Sequence, residues 1–206
     1  MKKLFMSVVA AFIAASSFAQ TTSGGFSLSE STVYYGARIG MNISSLTGDT
    51  DGGSKVGLNV GPVVGLRISD ATPIFLESGL FFTMQGSKKD PVTVSLNYFR
   101  IPILIKYGFQ ATDEIAVLPF LGPTLAFGIG GDWEIEGKGS ESSFGSNKFN
   151  RFDAGIRLGC GAEWNKLYLE MAYEFGVANI ADWNKNATDK ASVHNGNFMI
   201  NFGVNF

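Results

Sequence analysis

The sequence predicts an all-β fold, an eight-stranded antiparallel up-and-down transmembrane β-barrel, on three observations. Residues 151–164 sort by parity without exception: Phe152, Ala154, Ile156, Leu158, Cys160, Ala162 and Trp164 share one face of a strand, and Arg151, Asp153, Gly155, Arg157, Gly159, Gly161 and Glu163 share the other. The same alternation recurs along the chain, and no helical period after residue 20 supplies a second layer to cover the apolar faces. The connections alternate between short and long. A closed barrel with apolar residues toward lipid and charges toward a narrow lumen satisfies all three, because every backbone polar group finds a partner and no sheet edge is left in hydrocarbon.

Each strand follows from its own alternation. The first, 33–44, sends Val33, Tyr35, Ala37, Ile39, Met41 and Ile43 outward and Arg38, Gly40 and Asn42 inward; the second, 58–69, turns Arg67 inward. In the third, 74–84, Leu76, Leu80, Phe82 and Met84 face out and Glu77 faces in. The fourth, 96–107, sets Phe99, Ile101, Ile103, Ile105 and Tyr107 against inward Arg100 and Lys106. The fifth, 115–129, is the least regular, since Pro119 and Pro123 each remove a ladder donor. Residues 151–164 form the sixth. The seventh, 167–176, places Glu170 and Glu174 inside, and the eighth alternates Phe198, Ile200, Phe202, Val204 and Phe206 with Asn197, Met199, Asn201, Gly203 and Asn205.

Short connections at 70–73, 110–114 and 165–166 alternate with long ones at 45–57, 85–95, 130–150 and 177–196. With an even strand count, both termini and the short turns lie in the periplasm and the long loops face outside the cell. Tyr35, Tyr107, Trp164 and Phe206 then fall near the inner membrane boundary, and Phe82, Phe99, Phe127, Phe152, Phe175 and Phe198 near the outer one, as two aromatic girdles.

Residues 1–19 read as a secretory signal: Lys2 and Lys3, an apolar run over 4–15, and Ser17-Phe18-Ala19 as a small-x-small cleavage site before Gln20. Residues 20–32 form a periplasmic N-terminal segment and 33–206 the outer-membrane barrel domain. Removing Lys2 and Lys3 from 16 basic residues leaves 14 against 18 acidic ones, a formal charge of −4 that offers no basic patch for nucleic acid. The single cysteine, Cys160, rules out an internal disulfide and by parity faces lipid. Twenty-six glycines and 13% aromatics suit a small barrel, where inward glycine makes room and outward aromatics sit at the membrane boundaries.

Several blocks carry a family resemblance. Tyr35-Gly36-Ala37-Arg38-Ile39-Gly40-Met41-Asn42, Glu77-Ser78-Gly79-Leu80-Phe81-Phe82, Tyr98-Phe99-Arg100-Ile101-Pro102-Ile103-Leu104-Ile105-Lys106-Tyr107 and Arg151-Phe152-Asp153-Ala154-Gly155 resemble the PorT-like outer-membrane β-barrel family, the fourth-strand block most specifically. Arg100 departs from that pattern, standing where an acidic residue is expected. The resemblance implies an eight-stranded outer-membrane barrel. Its namesake is similar to a component of a protein secretion and gliding system, which makes membership of a secretion or translocation assembly the alternative to a structural or surface-binding role.

The inward charges balance: Arg38, Arg67, Arg100, Lys106 and Arg157 against Glu77, Asp153, Glu163, Glu170 and Glu174. An ion-selective path calls for an excess of one sign, so this set reads as a salt-bridged, closed lumen that also holds Tyr98, Phe120 and Tyr168. The aromatic loop residues Trp133, Phe144 and Trp183 are the candidate contacts for an extracellular or secretion-system protein. Outer-membrane lipid and, through the C-terminal strand, the barrel assembly machinery complete the expected partners. No metal, cofactor or catalytic site is expected. The one histidine, His194, lies in the last long loop near Asp182, Asp189 and Ser192 and reads as a solvated polar residue, and the run Asp49-Thr50-Asp51-Gly52-Gly53 lacks the distal ligands of a calcium loop.

Overall fold

The computed structural model describes residues 33–49, 52–69, 71–137, 139–145, 148–181 and 192–206. The expected signal and N-terminal segment lie outside these residues. Within them the chain is an antiparallel sheet closed on itself: β1 (Val33–Gly48), β2 (Ser54–Arg67), β3 (Ile74–Gly79), β4 (Phe81–Lys89), β5 (Val92–Tyr107), β6 (Phe109–Gln110), β7 (Ile115–Gly130), β8 (Asp132–Ile135), β9 (Gly139–Ser142), β10 (Phe152–Trp164), β11 (Leu167–Gly176) and β12 (Val193–Asn205).

Eight staves make the ring. They follow the order β1, β2, β3 with β4, β5, β7, β10, β11 and β12, and β12 pairs back onto β1 from Gly36↔Asn205 to Gly48↔Val193. β3 and β4 are one stave broken at Leu80, whose N–H still reaches the Pro62 carbonyl at 3.1 Å. β6 is a short extension beside β7, and β8 and β9 form a hairpin that prolongs the sheet above β5. Between β10 and β11 the two-residue turn places Asn165 at φ 55°, a left-handed conformation that asparagine tolerates.

Alternation sorts side chains between two environments. Along β10, Phe152 and Leu158 are 57% and 53% exposed, whereas Asp153 and Arg157 are 0% and 1% exposed. This inverts a water-soluble protein: the apolar face lies outside and the charges inside. β7 runs unbroken through Pro119 and Pro123, which pair with Cys160 and Ile156 of β10. The ladder lapses on the other side instead, between Pro102↔Thr124 and Ile105↔Leu121 of β5 and β7, where Pro123 has no N–H to donate.

Three of the long connections are more ordered than the sequence predicts. Over 85–95, β4 continues to Lys89 and β5 starts at Val92, leaving a tight hairpin. Over 45–57, β1 runs on to Gly48 and β2 begins at Ser54, and 130–150 contains the β8–β9 hairpin. Apolar alternation stops at Met84 because a strand that has left lipid no longer needs an apolar outer face, while its backbone ladder persists.

Candidate functional site

Parity from five staves drives nine charged side chains into the lumen, where all are buried: Arg38 of β1, Glu77 of β3, Arg100 and Lys106 of β5, Asp153, Arg157 and Glu163 of β10, and Glu170 and Glu174 of β11. They sort into two clusters along the barrel. Toward the short-turn end, Glu77 is the hub. Its Oε2 accepts from the Tyr34 hydroxyl at 2.7 Å and lies 3.5 Å from Arg38 Nη2, and its Oε1 lies 2.8 Å from Lys106 Nζ. Lys106 also donates to the Tyr168 hydroxyl at 2.7 Å and stands 3.9 Å from Glu170, whose other oxygen accepts from Asn201 at 2.8 Å. The Arg38 guanidinium stacks 4.0 Å from the centre of the Tyr168 ring. Glycine makes this crowding possible: a Cβ on Gly203 would sit 2.5 Å from Arg38 Cδ. Glu163 stands apart, with Oε2 accepting from Asn205 at 2.7 Å and Oε1 buried without a hydrogen-bond partner.

Toward the long-loop end Glu174 is the second hub. Arg157 donates to its Oε2 through Nε at 3.1 Å and Nη2 at 2.9 Å, and Arg100 Nη1 pairs with its Oε1. Arg100 Nη2 reaches Asp153 Oδ2 at 2.9 Å and Gln85 Oε1 at 3.2 Å, and Asn195 donates to the same Asp153 oxygen at 2.9 Å. An arginine on the fourth stave, unexpected from the family pattern, is therefore matched by two carboxylates from the sixth and seventh.

Arg67 does not join either cluster. It is the last residue of β2, half-buried, and its Nε donates to the Ser69 carbonyl at 2.9 Å. Its parity is inward but its height places it at the rim, so the buried set is four cations and five anions among the described residues.

Above the second cluster the barrel mouth holds an apolar layer. Val94, Leu96 and Tyr98 of β5, Leu46 of β1 and Val193 of β12 meet Phe144, Phe149, Ile180 and Ala181 from the long connections. Phe144, expected at the surface, is 5% exposed and packs edge-on to Tyr98 with ring centres 5.7 Å apart. It lies over Gly128, where any Cβ would run into its ring, and beneath Arg151, whose Nη1 donates to the Gly128 carbonyl at 2.8 Å. Trp133, also expected outside, is partly buried against the same layer, 6.0 Å from Phe149. Both turn inward because a loop aromatic gains more by covering the exposed apolar mouth than by facing water. Trp183 lies outside the described residues. The signal for this layer was the inward parity of Leu96 and Tyr98, apolar positions directly beyond the inward Arg100.

On the outer rim at the same end, Ser192 Oγ and His194 Nε2 are 2.9 Å apart, and His194 Nδ1 lies 2.9 Å from the Ala178 carbonyl oxygen. Asp182 and Asp189 lie outside the described residues, as do Thr50 and Asp51 of the acidic run near Asp49. Among the described residues no group of three or more His, Cys, Asp or Glu side chains is placed to hold a metal ion.

Comparisons with known proteins agree with the architecture. A family model described as outer membrane protein beta-barrel domain matches residues 18–182. No curated protein matches the chain. Among solved structures, the chain is similar to Neisserial surface protein A at 18% identity over 85% of this chain and 98% of that one, with a TM-score of 0.53. It is also similar to OprG from Pseudomonas aeruginosa (15% identity, 87% and 98% covered, TM-score 0.48) and to Ail, the attachment invasion locus protein of Yersinia pestis (14%, 85% and 100%, TM-score 0.45).

Proposed function

Because the chain belongs to the outer membrane protein beta-barrel domain family, we propose that it is an integral barrel whose lumen is closed twice, by the ion-pair clusters and by the apolar layer above them, and whose work is structural or surface-binding at the long-loop end. The burial of Phe144 over Gly128 carries this reading, because a ring seated in the mouth leaves ions no entry even where the charged clusters below flex. The clusters add a second barrier: opening a path through them separates buried charges from their partners, at a cost of about 3–5 kcal/mol for each pair broken. With the pore shut, the ordered caps over the mouth are the surface that meets the exterior.

Purified barrel in a planar bilayer is expected to give no steady ion-selective current. A reproducible open-channel conductance would overturn the closed-lumen reading and bring transport to the front. The same reading puts the chain in the outer membrane after export and cleavage, so N-terminal analysis of membrane-isolated protein should find a chain starting near Gln20. A retained Met1 would refute that.

A further inference from the structure

We propose that Ser192 and His194 form an acyl-transfer dyad on the outer rim of the barrel, with a membrane lipid carboxylic ester as substrate. The proposal starts from hydrogen-bond polarity. The Ala178 oxygen can only accept, so the bond to it at 2.9 Å places the imidazole proton on Nδ1. Nε2 of the neutral ring then carries a lone pair, and its 2.9 Å contact with Ser192 Oγ is one in which the hydroxyl donates. A hydroxyl donating to an imidazole that a third group holds in the correct tautomer is the arrangement that activates a serine nucleophile.

The surrounding backbone fixes this geometry without using the serine hydroxyl. Ser192 is tied to the end of β1 by its N–H to Asp49 Oδ2 and by the Asp49 N–H to its carbonyl, both 2.8 Å. The Asn179 side-chain oxygen accepts from the N–H groups of Val193 and Ala181 at 2.9 and 3.0 Å, and the Ile180 N–H reaches the Val193 carbonyl at 2.9 Å, which pins the segment carrying the Ala178 carbonyl. The hydroxyl is left to bond the imidazole, and both side chains are half-exposed, open to a substrate.

Position supplies the substrate class. His194 has the outward parity of Phe198, Ile200 and Phe202. Four residues at about 3.3 Å each, on a tilted strand, set it roughly 10 Å beyond Phe198. That is the headgroup and ester zone above the apolar belt. Gly196, the outward position between them, is buried, with the Tyr173 hydroxyl 2.8 Å from where a Cβ would sit, so a substrate coming from lipid approaches His194 past that ring.

In the step proposed, Ser192 Oγ attacks the ester carbonyl carbon while Nε2 takes the hydroxyl proton. The tetrahedral adduct expels the alcohol oxygen, which receives that proton from the imidazolium as the C–O bond breaks, leaving an acyl-serine. Water then attacks the acyl carbon with its proton passing to Nε2, the serine C–O bond breaks, and Oγ recovers the proton. One ester and one water give one alcohol and one carboxylic acid.

The test is labelling of the folded barrel in detergent by a biotinylated fluorophosphonate, with peptide mapping of the adduct. Heat-modifiable gel mobility checks that each variant is folded. Label is expected at Ser192, absent in Ser192→Ala, slowed about 100-fold or more in His194→Gln as general-base removal requires, and unchanged in Ser140→Ala, an exposed serine on β9. Absence of label on the folded parent, or undiminished labelling of folded His194→Gln, overturns the dyad. In vesicles of dioleoyl phosphatidylcholine the parent is expected to release oleate and Ser192→Ala is not. Labelling without oleate release overturns the lipid ester as substrate.

Discussion

Moving a single charge along the outer face gives a quantitative test of how the barrel sits in lipid. The outward residues of β10 run from Phe152 to Trp164, the expected girdle positions at opposite boundaries. Twelve residue steps of about 3.3 Å on a strand tilted by about 40° span roughly 30 Å, close to the apolar band of such barrels. Leu158 is the midpoint. It is 53% exposed, and its cross-strand partners are Leu121 of β7 and Tyr173 of β11, so an arginine there meets no carboxylate. Leu158→Arg is expected to destabilise the barrel by about 2–4 kcal/mol, and Leu167→Arg, the same exchange at the short-turn rim, by about 0–1 kcal/mol. At 1.4 kcal/mol per tenfold, a gap of about 2–3 kcal/mol is a 30- to 150-fold difference in folding equilibrium. Urea titration of folding into lipid vesicles, read by heat-modifiable mobility, measures it. Equal midpoints for the two variants would refute the lipid-facing assignment of β10.

The two lumen carboxylates without equivalent partners should respond differently to neutralisation. Glu174→Gln leaves Arg157 without its paired carboxylate and is expected to cost about 3–5 kcal/mol, whereas Glu163→Gln keeps an acceptor for Asn205 and should cost under about 1 kcal/mol; urea midpoints decide, and the reverse order would refute the cluster assignment. Gly128→Val should drive Phe144 from the mouth and speed protease cleavage within 143–150, while Gly130→Ala, whose Cβ would have nothing within 4 Å, should leave cleavage unchanged. Equal cleavage in both would show that Phe144 does not depend on the space above Gly128.

The depth at which a residue sits was not legible in the chain, and the errors share that cause. Arg67 has inward parity and sits at the rim, because alternation fixes a face and says nothing of height. Residues 85–95 were expected as a loop since Gln85, Lys88 and Lys89 break the apolar pattern, yet their backbones pair on beyond the lipid. Trp133 and Phe144 are apolar residues in a polar stretch. Whether they face a partner or their own barrel depends on the unfilled mouth beneath them, which Leu96, Tyr98 and Leu46 form from separate strands. The Ser192 and His194 side chains share parity two residues apart, but the Ala178 carbonyl that fixes the ring's tautomer comes from a turn that only folding brings alongside.

What the sequence determined by itself was the barrel, its strand faces and nine of the ten charges it places inside, Arg67 being the exception. Lipid imposes one rule on every spanning strand, apolar outward and polar inward, and a rule applied at every second residue is readable from a linear string. Tertiary structure decided which carboxylate meets which guanidinium, how Glu77 and Glu174 divide the charges into two clusters, and how the long connections fold over the mouth. These depend on stagger between strands and on packing between residues far apart in the chain, and no local period encodes either.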